Sequence, residues 1–60
     1  MSVSIELQIQ CVKKELKRRK KIFPALVESG KLNQDYSDLE LSKMQDVLET
    51  LTQLKGLLRR

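Results

Sequence analysis

This 60-residue sequence has no histidine and no tryptophan, a single cysteine, a single proline and two glycines. One cysteine cannot form a disulfide within the chain, and without histidine there is no ligand set for a structural zinc site. Two aromatic residues, Phe23 and Tyr36, are too few for a surface that stacks nucleic-acid bases. A chain this short buries only about 60% of its unfolded surface, so we expect it to gain stability by self-association.

Motifs of catalysis and of membrane insertion are also missing. There is no glycine-rich phosphate loop and no set of carboxylates at metal-ligand spacing, and the Gly30-Lys31 step lacks the preceding glycine of a P-loop. No apolar run approaches the roughly 18 residues of a membrane span. The first ten residues lack the basic leader of a signal peptide. The sequence therefore predicts a soluble, intracellular, non-enzymatic protein with neither a metal nor a cofactor.

What the sequence does have is helical spacing. In the first half, apolar residues recur at steps of four and three, a heptad pattern that includes one arginine. We call these residues the α1 seam: Ile5, Ile9, Val12, Leu16, Arg19, Phe23 and Leu26. Ser4 or Ser2 can cap the start, and Gly30 suits the left-handed residue that ends a helix. We predict a first helix from about residue 4 to 29.

Pro24 lies inside that first helix. It cannot donate a hydrogen bond to the carbonyl of Lys20, and its ring crowds that carbonyl. Either the helix is continuous and kinked, or it breaks and restarts at Pro24. Because Phe23 and Leu26 stay in register with Leu16, we predict a kink near Pro24.

A second amphipathic helix is predicted from about residue 34 to 58. Asn33 is a good N-cap, and Asp35 suits the first turn. The apolar residues share one side of the helical wheel, with Leu41 at its border: Tyr36, Met44, Val47, Leu48, Leu51, Leu54 and Leu58. Since the connection is short, the helices should be antiparallel. Residues 1–60 are therefore predicted to be one all-α domain, a two-helix hairpin that assembles into a homo-oligomeric bundle.

The first helix is apolar on a second side as well. Val3, Leu7 and Cys11 lie opposite the seam. A single two-helix hairpin cannot cover both sides of this helix. Either this area stays exposed, as some apolar area always does, or another copy packs on it. We predict an oligomer interface formed by Val3, Leu7, Cys11, Met44, Leu48 and Leu51. A dimeric four-helix bundle is the simplest solution, and higher cyclic assemblies stay open.

Seven of the nine residues from 13 to 21 are basic, in a chain whose net charge is +4. Such a tract can be a solvated face, but its charges repel one another at helical spacing, and an anionic partner would offset that repulsion. We predict that seven residues bind this partner: Lys13, Lys14, Lys17, Arg18, Arg19, Lys20 and Lys21. Nucleic acid or a phosphate-bearing nucleotide is the first expectation, with steep salt dependence. A host protein is the alternative, and Pro24 disfavours a membrane surface.

Arg19 is the one charged residue in the α1 seam. Its stem can pack while the guanidinium group reaches solvent. Alternatively, Glu40 can pair with it across the hairpin, at a cost in desolvation. A third possibility is that Arg19 lines an anion-binding cleft between copies, because the planar guanidinium group suits phosphate. The sequence leaves the three arrangements open.

The strings RRKKIFPALVESGKLNQ (18–34) and LSKMQDVLETL (41–51) resemble a family of very short proteins from tailed-phage and prophage genomes. The resemblance covers about residues 13 to 52. It depends on Arg18, Arg19, Phe23, Pro24, Leu26, Val27, Gly30, Met44, Val47, Leu48 and Leu51. The family has no settled activity, so the resemblance assigns no functional residue. It implies a phage protein in the cytoplasm of a bacterial host, where such proteins block host or defence proteins or sequester a nucleotide signal.

Overall fold

The computed structural model describes residues 3–58 as two helices, α1 (Ile5–Glu28) and α2 (Gln34–Leu58), which pack against each other as a hairpin. Both helices lie within one residue of the predicted bounds. Ser4 is the N-cap of α1, and its side chain accepts a hydrogen bond of 3.3 Å from the Leu7 N–H. It continues through Pro24 without a break, so the predicted continuity of the helix is confirmed.

The turn between the helices is built from backbone hydrogen bonds. Gly30 has φ +78°, the left-handed conformation that glycine adopts without strain. Its N–H donates to the Val27 carbonyl at 3.1 Å, and the Lys31 N–H donates to the Leu26 carbonyl at 2.9 Å. This pair of bonds is a Schellman motif and satisfies carbonyls that the end of α1 would leave unpaired. The predicted role of Gly30 is therefore confirmed.

Helix α2 begins at its predicted cap. The Asn33 side-chain oxygen accepts hydrogen bonds from the N–H groups of Asp35, at 2.8 Å, and Tyr36, at 3.3 Å. Two of the free donors at the start of the helix are thus satisfied. The helix then continues through Gly56 to Leu58.

The α1 seam faces α2 along its whole length. All seven of its residues are buried or half-buried, with Ile9 at 6% and Leu16 at 5% exposure. On α2, six residues at steps of four and three are buried or half-buried: Ser37, Leu41, Met44, Leu48, Leu51 and Lys55. Two helices with matching four-three spacing pack along a narrow strip. The core of the hairpin is this strip.

Only part of the predicted apolar side of α2 is covered by α1. Tyr36, Val47, Leu54 and Leu58 are 43–65% exposed. A single partner helix covers only a narrow strip of α2. That strip contains the polar residues Ser37 and Lys55, while the four apolar residues lie outside it. The hairpin is 46 Å long and only 18 × 17 Å across, so nothing else in the described chain can cover them.

Candidate anion-binding surface

The seven cations of the predicted site do not form one face. Each residue of an α-helix advances by about 100°, so the tract winds around α1. Lys13, Lys17 and Lys20 lie on one flank of the seam, together with Leu16 and the α2 residue Leu48. A second group, formed by Lys14, Arg18 and Lys21, lies on the outer side and is exposed. Arg19 is half-buried at the seam.

Glu15 pairs with both arginines of the tract. Its carboxylate accepts hydrogen bonds from Arg18 Nε at 3.2 Å and from Arg19 Nε at 2.9 Å. The hydrogen bond from Arg18, followed by that from Arg19, holds the pKa of Glu15 below its ordinary value. The guanidinium carbon of Arg19 also lies 5.9 Å from the centre of the Phe23 ring, within the range of a cation–π contact. The arginines are therefore occupied within α1.

The five lysines of the tract are in a different situation. Among residues 3–58, the ion pairs are those of Glu15 with the two arginines and of Glu40 with Lys43, so none involves a tract lysine. All five lysines are exposed: Lys13, Lys14, Lys17, Lys20 and Lys21. They are the cations of the tract that an external anion can reach without displacing a carboxylate.

Three of these lysines line a groove between the helices. We call it the lysine groove; its lining residues are Lys13, Leu16, Lys17, Lys20 and Leu48, and its volume is ≈ 240 Å³. Leu16 comes from α1 and Leu48 from α2, so the hairpin itself brings the apolar floor beneath the ammonium groups. No carboxylate lines the groove.

A second groove lies on the opposite flank and is apolar. We call it the apolar groove; it is lined by Val3, Leu7, Gln8, Cys11, Val12, Val47 and Leu51. It shares no lining residue with the lysine groove, and Cys11 and Lys13 are about 200° apart around α1. Val3 and Leu7 are 57% and 55% exposed, and Cys11 is an exposed free thiol.

The predicted oligomer interface is therefore divided between surfaces. Val3, Leu7, Cys11 and Leu51 lie in the apolar groove, whereas Leu48 lies in the lysine groove. Met44 is half-buried in the strip between the helices.

Glu40 does not make the cross-hairpin ion pair that was one of the three alternatives for Arg19. Its Oε2 instead forms an ion pair with Lys43 Nζ. This oxygen is buried and accepts no hydrogen bond within the described chain. Tyr36 Oη donates to its other oxygen at 3.3 Å. Lys43, more than any other neighbour, lowers the pKa of Glu40.

The prediction assigned the seven cations as one binding set, and two features of the structure that divide this set have a visible signal in the sequence. Glu15 lies three residues before Arg18 and four before Arg19, which are the spacings of helical ion pairs. The division of the tract into flanks follows from the 100° step between residues. The contribution of Leu48 has no such signal, since it depends on how α2 is rotated against α1.

No protein-family model matches this chain, and no curated protein or solved structure is significantly similar to it. The resemblance to short phage proteins stays a prediction. Within the described residues, neither helix is both long enough and apolar enough to cross a membrane. Across those same residues, no three metal-ligating side chains come together as a group that could hold an ion.

Proposed function

We propose that this protein binds an anionic partner without catalysis, through the lysines of α1. The observation that carries the proposal is that all five tract lysines are exposed and make no ion pair within residues 3–58, whereas both arginines pair with Glu15. Unpaired charges of one sign on a helix repel one another, and an anion relieves that repulsion. The arginines contribute less than the sequence predicts, because a ligand must compete with Glu15 for them.

Nucleic acid or a phosphate-bearing nucleotide is one source of the anion. Lysine ammonium groups bind phosphate as point charges, and backbone contacts of this kind give little sequence preference. The affinity then depends steeply on salt, because each neutralised phosphate releases counterions. Within a phage context, sequestration of a nucleotide signal in the cytoplasm of a bacterial host belongs to this version of the proposal.

A protein antagonist is the second candidate, and the lysine groove favours it. The half-buried Leu48 beside the lysines offers apolar contact that a phosphate backbone does not use, whereas Leu16 beneath them is already buried at 5% exposure. A partner of this kind is a host or defence protein with an acidic surface. The complex should survive nuclease treatment, and its hot spots should include the apolar contacts as well as the charges.

Self-association is part of the proposal. The chain exposes 5004 Å² at a mass of 7.0 kDa, whereas a compact monomer of that mass exposes about 4,000 Å². The excess is close to the roughly 800 Å² that each partner contributes to a standard interface. The apolar groove has no charged lining residue, so a second copy can pack there without bringing the lysines together. A homodimer through this groove leaves the lysine flank open.

The proposal also keeps the bend at Pro24. The helix is continuous there, and the proline removes the hydrogen bond that the Lys20 carbonyl would accept. A bend at this point turns the lysine-bearing part of α1 relative to the last turn before Gly30.

A salt titration of DNA binding tests the proposed function. The affinity of a labelled 20-base-pair duplex is measured at several salt concentrations for the wild type and for Lys17→Gln/Lys20→Gln. The control is Lys31→Gln/Arg60→Gln, which has the same net charge. In the tract variant we expect the slope of log affinity against log salt to become less negative by about 2, because two lysine–phosphate contacts are lost. An equal effect of both variants, or binding indifferent to salt, would mean that the tract is not the binding surface.

A further inference from the structure

The residues of the lysine groove that come from α1 follow a regular helical spacing. Its α1 residues are Lys13, Leu16, Lys17 and Lys20, which are positions i, i+3, i+4 and i+7. These positions form one continuous face of a helix, about 10 Å long. Leu48 of α2 extends the apolar part of that face. The groove is therefore an apolar strip with a row of three ammonium groups along one side.

The volume of the groove limits what can enter it. At ≈ 240 Å³ it lies below the roughly 300–1,000 Å³ of pockets that enclose a small-molecule ligand. It is also open along its length rather than enclosed. A groove of this form receives single side chains from a longer segment laid across it. A free nucleotide would leave most of its surface in water.

The charges and the floor together specify the chemistry of that segment. Phosphate groups of a duplex would contact the ammonium groups and leave the half-buried Leu48 uncovered, whereas Leu16 is already buried within the hairpin. A helix that repeats side chains at i, i+3, i+4 and i+7 can place carboxylates opposite the lysines and an apolar residue on the floor. Since Lys13, Lys17 and Lys20 make no ion pair in the described chain, the partner displaces no carboxylate on binding.

We propose that the lysine groove binds an acidic amphipathic helix of a partner protein. Carboxylates at positions i, i+4 and i+7 of that helix pair with Lys13, Lys17 and Lys20, and an apolar residue at i+3 contacts the half-buried Leu48 beside the buried Leu16. This inference rests on the proposed function, because it names the partner class for the same lysines. The apolar groove on the other flank is left to the second copy of this chain.

A peptide titration followed by NMR tests the inference. The full-length ¹⁵N-labelled protein is titrated at about 150 mM salt, near physiological ionic strength, with a synthetic helical peptide that carries Glu at i, i+4 and i+7 and Leu at i+3. A matched peptide has Ala at i+3, and a 20-base-pair DNA duplex serves as a polyanion without an apolar anchor. Lys17→Gln tests the charge row, and Lys31→Gln is the control at an exposed lysine outside the groove.

We expect the Leu peptide to shift the amide signals of residues 13–20 and of Leu48. The Ala peptide should bind about tenfold more weakly, because the anchor loses its apolar contact. Lys17→Gln should weaken binding severalfold, as expected for one charge pair at a partly exposed site, and Lys31→Gln should leave it unchanged.

Three results would overturn the inference. If the Ala peptide and the duplex bind as tightly as the Leu peptide, the apolar floor is unused, and the proposed anion binding stands without this partner class. If no anion binds, the proposed function fails together with the inference. If the signals of the groove shift on dilution of the protein alone, a second copy occupies the groove, and the partner is not a separate acidic helix.

Discussion

Glu15 lies three residues before Arg18 and four before Arg19, and its carboxylate bonds to both. Because these hydrogen bonds stabilise the charged carboxylate, the pKa of Glu15 is lower in the folded chain than in the unfolded one. A carboxyl group of this kind contributes stability above its unfolded pKa, and the contribution is lost as pH falls through the folded pKa. The sign is the same for Glu40, whose pKa Lys43 lowers.

The first prediction concerns Glu15→Gln. The melting temperature of the wild type should fall on acidification from about pH 5 to pH 3, a range that starts above the ordinary glutamate pKa and extends below it toward the lowered pKa of Glu15. The variant should melt slightly lower at pH 7 and should depend less on pH across that range, because it has no carboxylate to protonate. Glu28→Gln is the control, since Glu28 makes no ion pair in residues 3–58. Identical pH profiles for Glu15→Gln and the wild type would contradict the assignment.

The placement of Arg19 shows where sequence reasoning ends at this scale. Three arrangements were open, and the structure has a half-buried side chain whose guanidinium group pairs with Glu15 and lies over the Phe23 ring. The intrahelical partner is visible in the i, i+4 spacing. Glu40 was an equally plausible partner for Arg19, because an antiparallel hairpin brings it close to Arg19 on the facing helix. The rotation of α2 against α1 decides that Glu40 pairs with Lys43 instead.

At the scale of the elements, the heptad pattern predicted α1 and its seam well. Ile9 and Leu16 are its most buried members, as expected for the centre of a four-three strip. Caps are local in sequence, so Ser4, Asn33 and Gly30 could be assigned from residue type alone. The face of α2 could not be assigned in this way, because its apolar residues span a wider arc than one helix covers. Val47 and Leu54 consequently lie outside the strip.

The second prediction concerns the seam residue Leu16. Leu16→Ala should lower the free energy of unfolding by about 2–5 kcal/mol, through the lost apolar contact and the cavity left behind. In a chain of this size that is most of the stability. Leu57→Ala, at a residue 60% exposed, should change it by less than about 0.5 kcal/mol. Urea unfolding measures the free energy of unfolding of both variants. Equal midpoints for the two would contradict the assignment of Leu16 to the core of the hairpin.

The third prediction concerns Pro24, which is exposed within the continuous helix. Pro24→Ala restores an N–H donor to the Lys20 carbonyl and removes the ring that crowds it, so we expect stabilisation by about 1–3 kcal/mol. Urea unfolding again gives the value, with Lys21→Ala as a control at an exposed site in the same turn. Destabilisation by Pro24→Ala would show instead that the proposed bend at Pro24 is needed for packing against α2.

At the scale of the whole molecule, the hairpin is long and thin. Its radius of gyration is 14.0 Å, against about 10 Å for a compact chain of this length. Two helices side by side leave both flanks uncovered, and the two flanks differ in chemistry. The sequence predicted self-association, because a chain of 60 residues without a disulfide or a metal site buries too little surface to be stable alone. On α1, the sequence predicted Val3, Leu7 and Cys11 for the interface, and these three residues share the apolar groove. Which α2 residues lie on the same flank depends on how α2 is rotated against α1, and that could not be predicted.

The fourth prediction concerns the apolar groove. Leu7→Glu places a charge where we propose that a second copy packs, so the variant should be monomeric at concentrations where the wild type is dimeric. Leu39→Glu is a matched control, because Leu39 is 56% exposed, close to the 55% of Leu7, and lines neither groove. Sedimentation equilibrium gives the masses. A wild-type dimer that both variants leave intact would place the interface elsewhere.

The central claim is that a self-associated hairpin presents unpaired lysines to an anion. Size-exclusion chromatography with light scattering tests it most directly, at about 50 mM salt, low enough to favour polyanion binding, with and without a 20-base-pair duplex. Our account predicts twice the 7.0 kDa chain mass without DNA, and with DNA a larger complex that dissociates at high salt. A 7.0 kDa monomer whose elution the duplex does not change would contradict it.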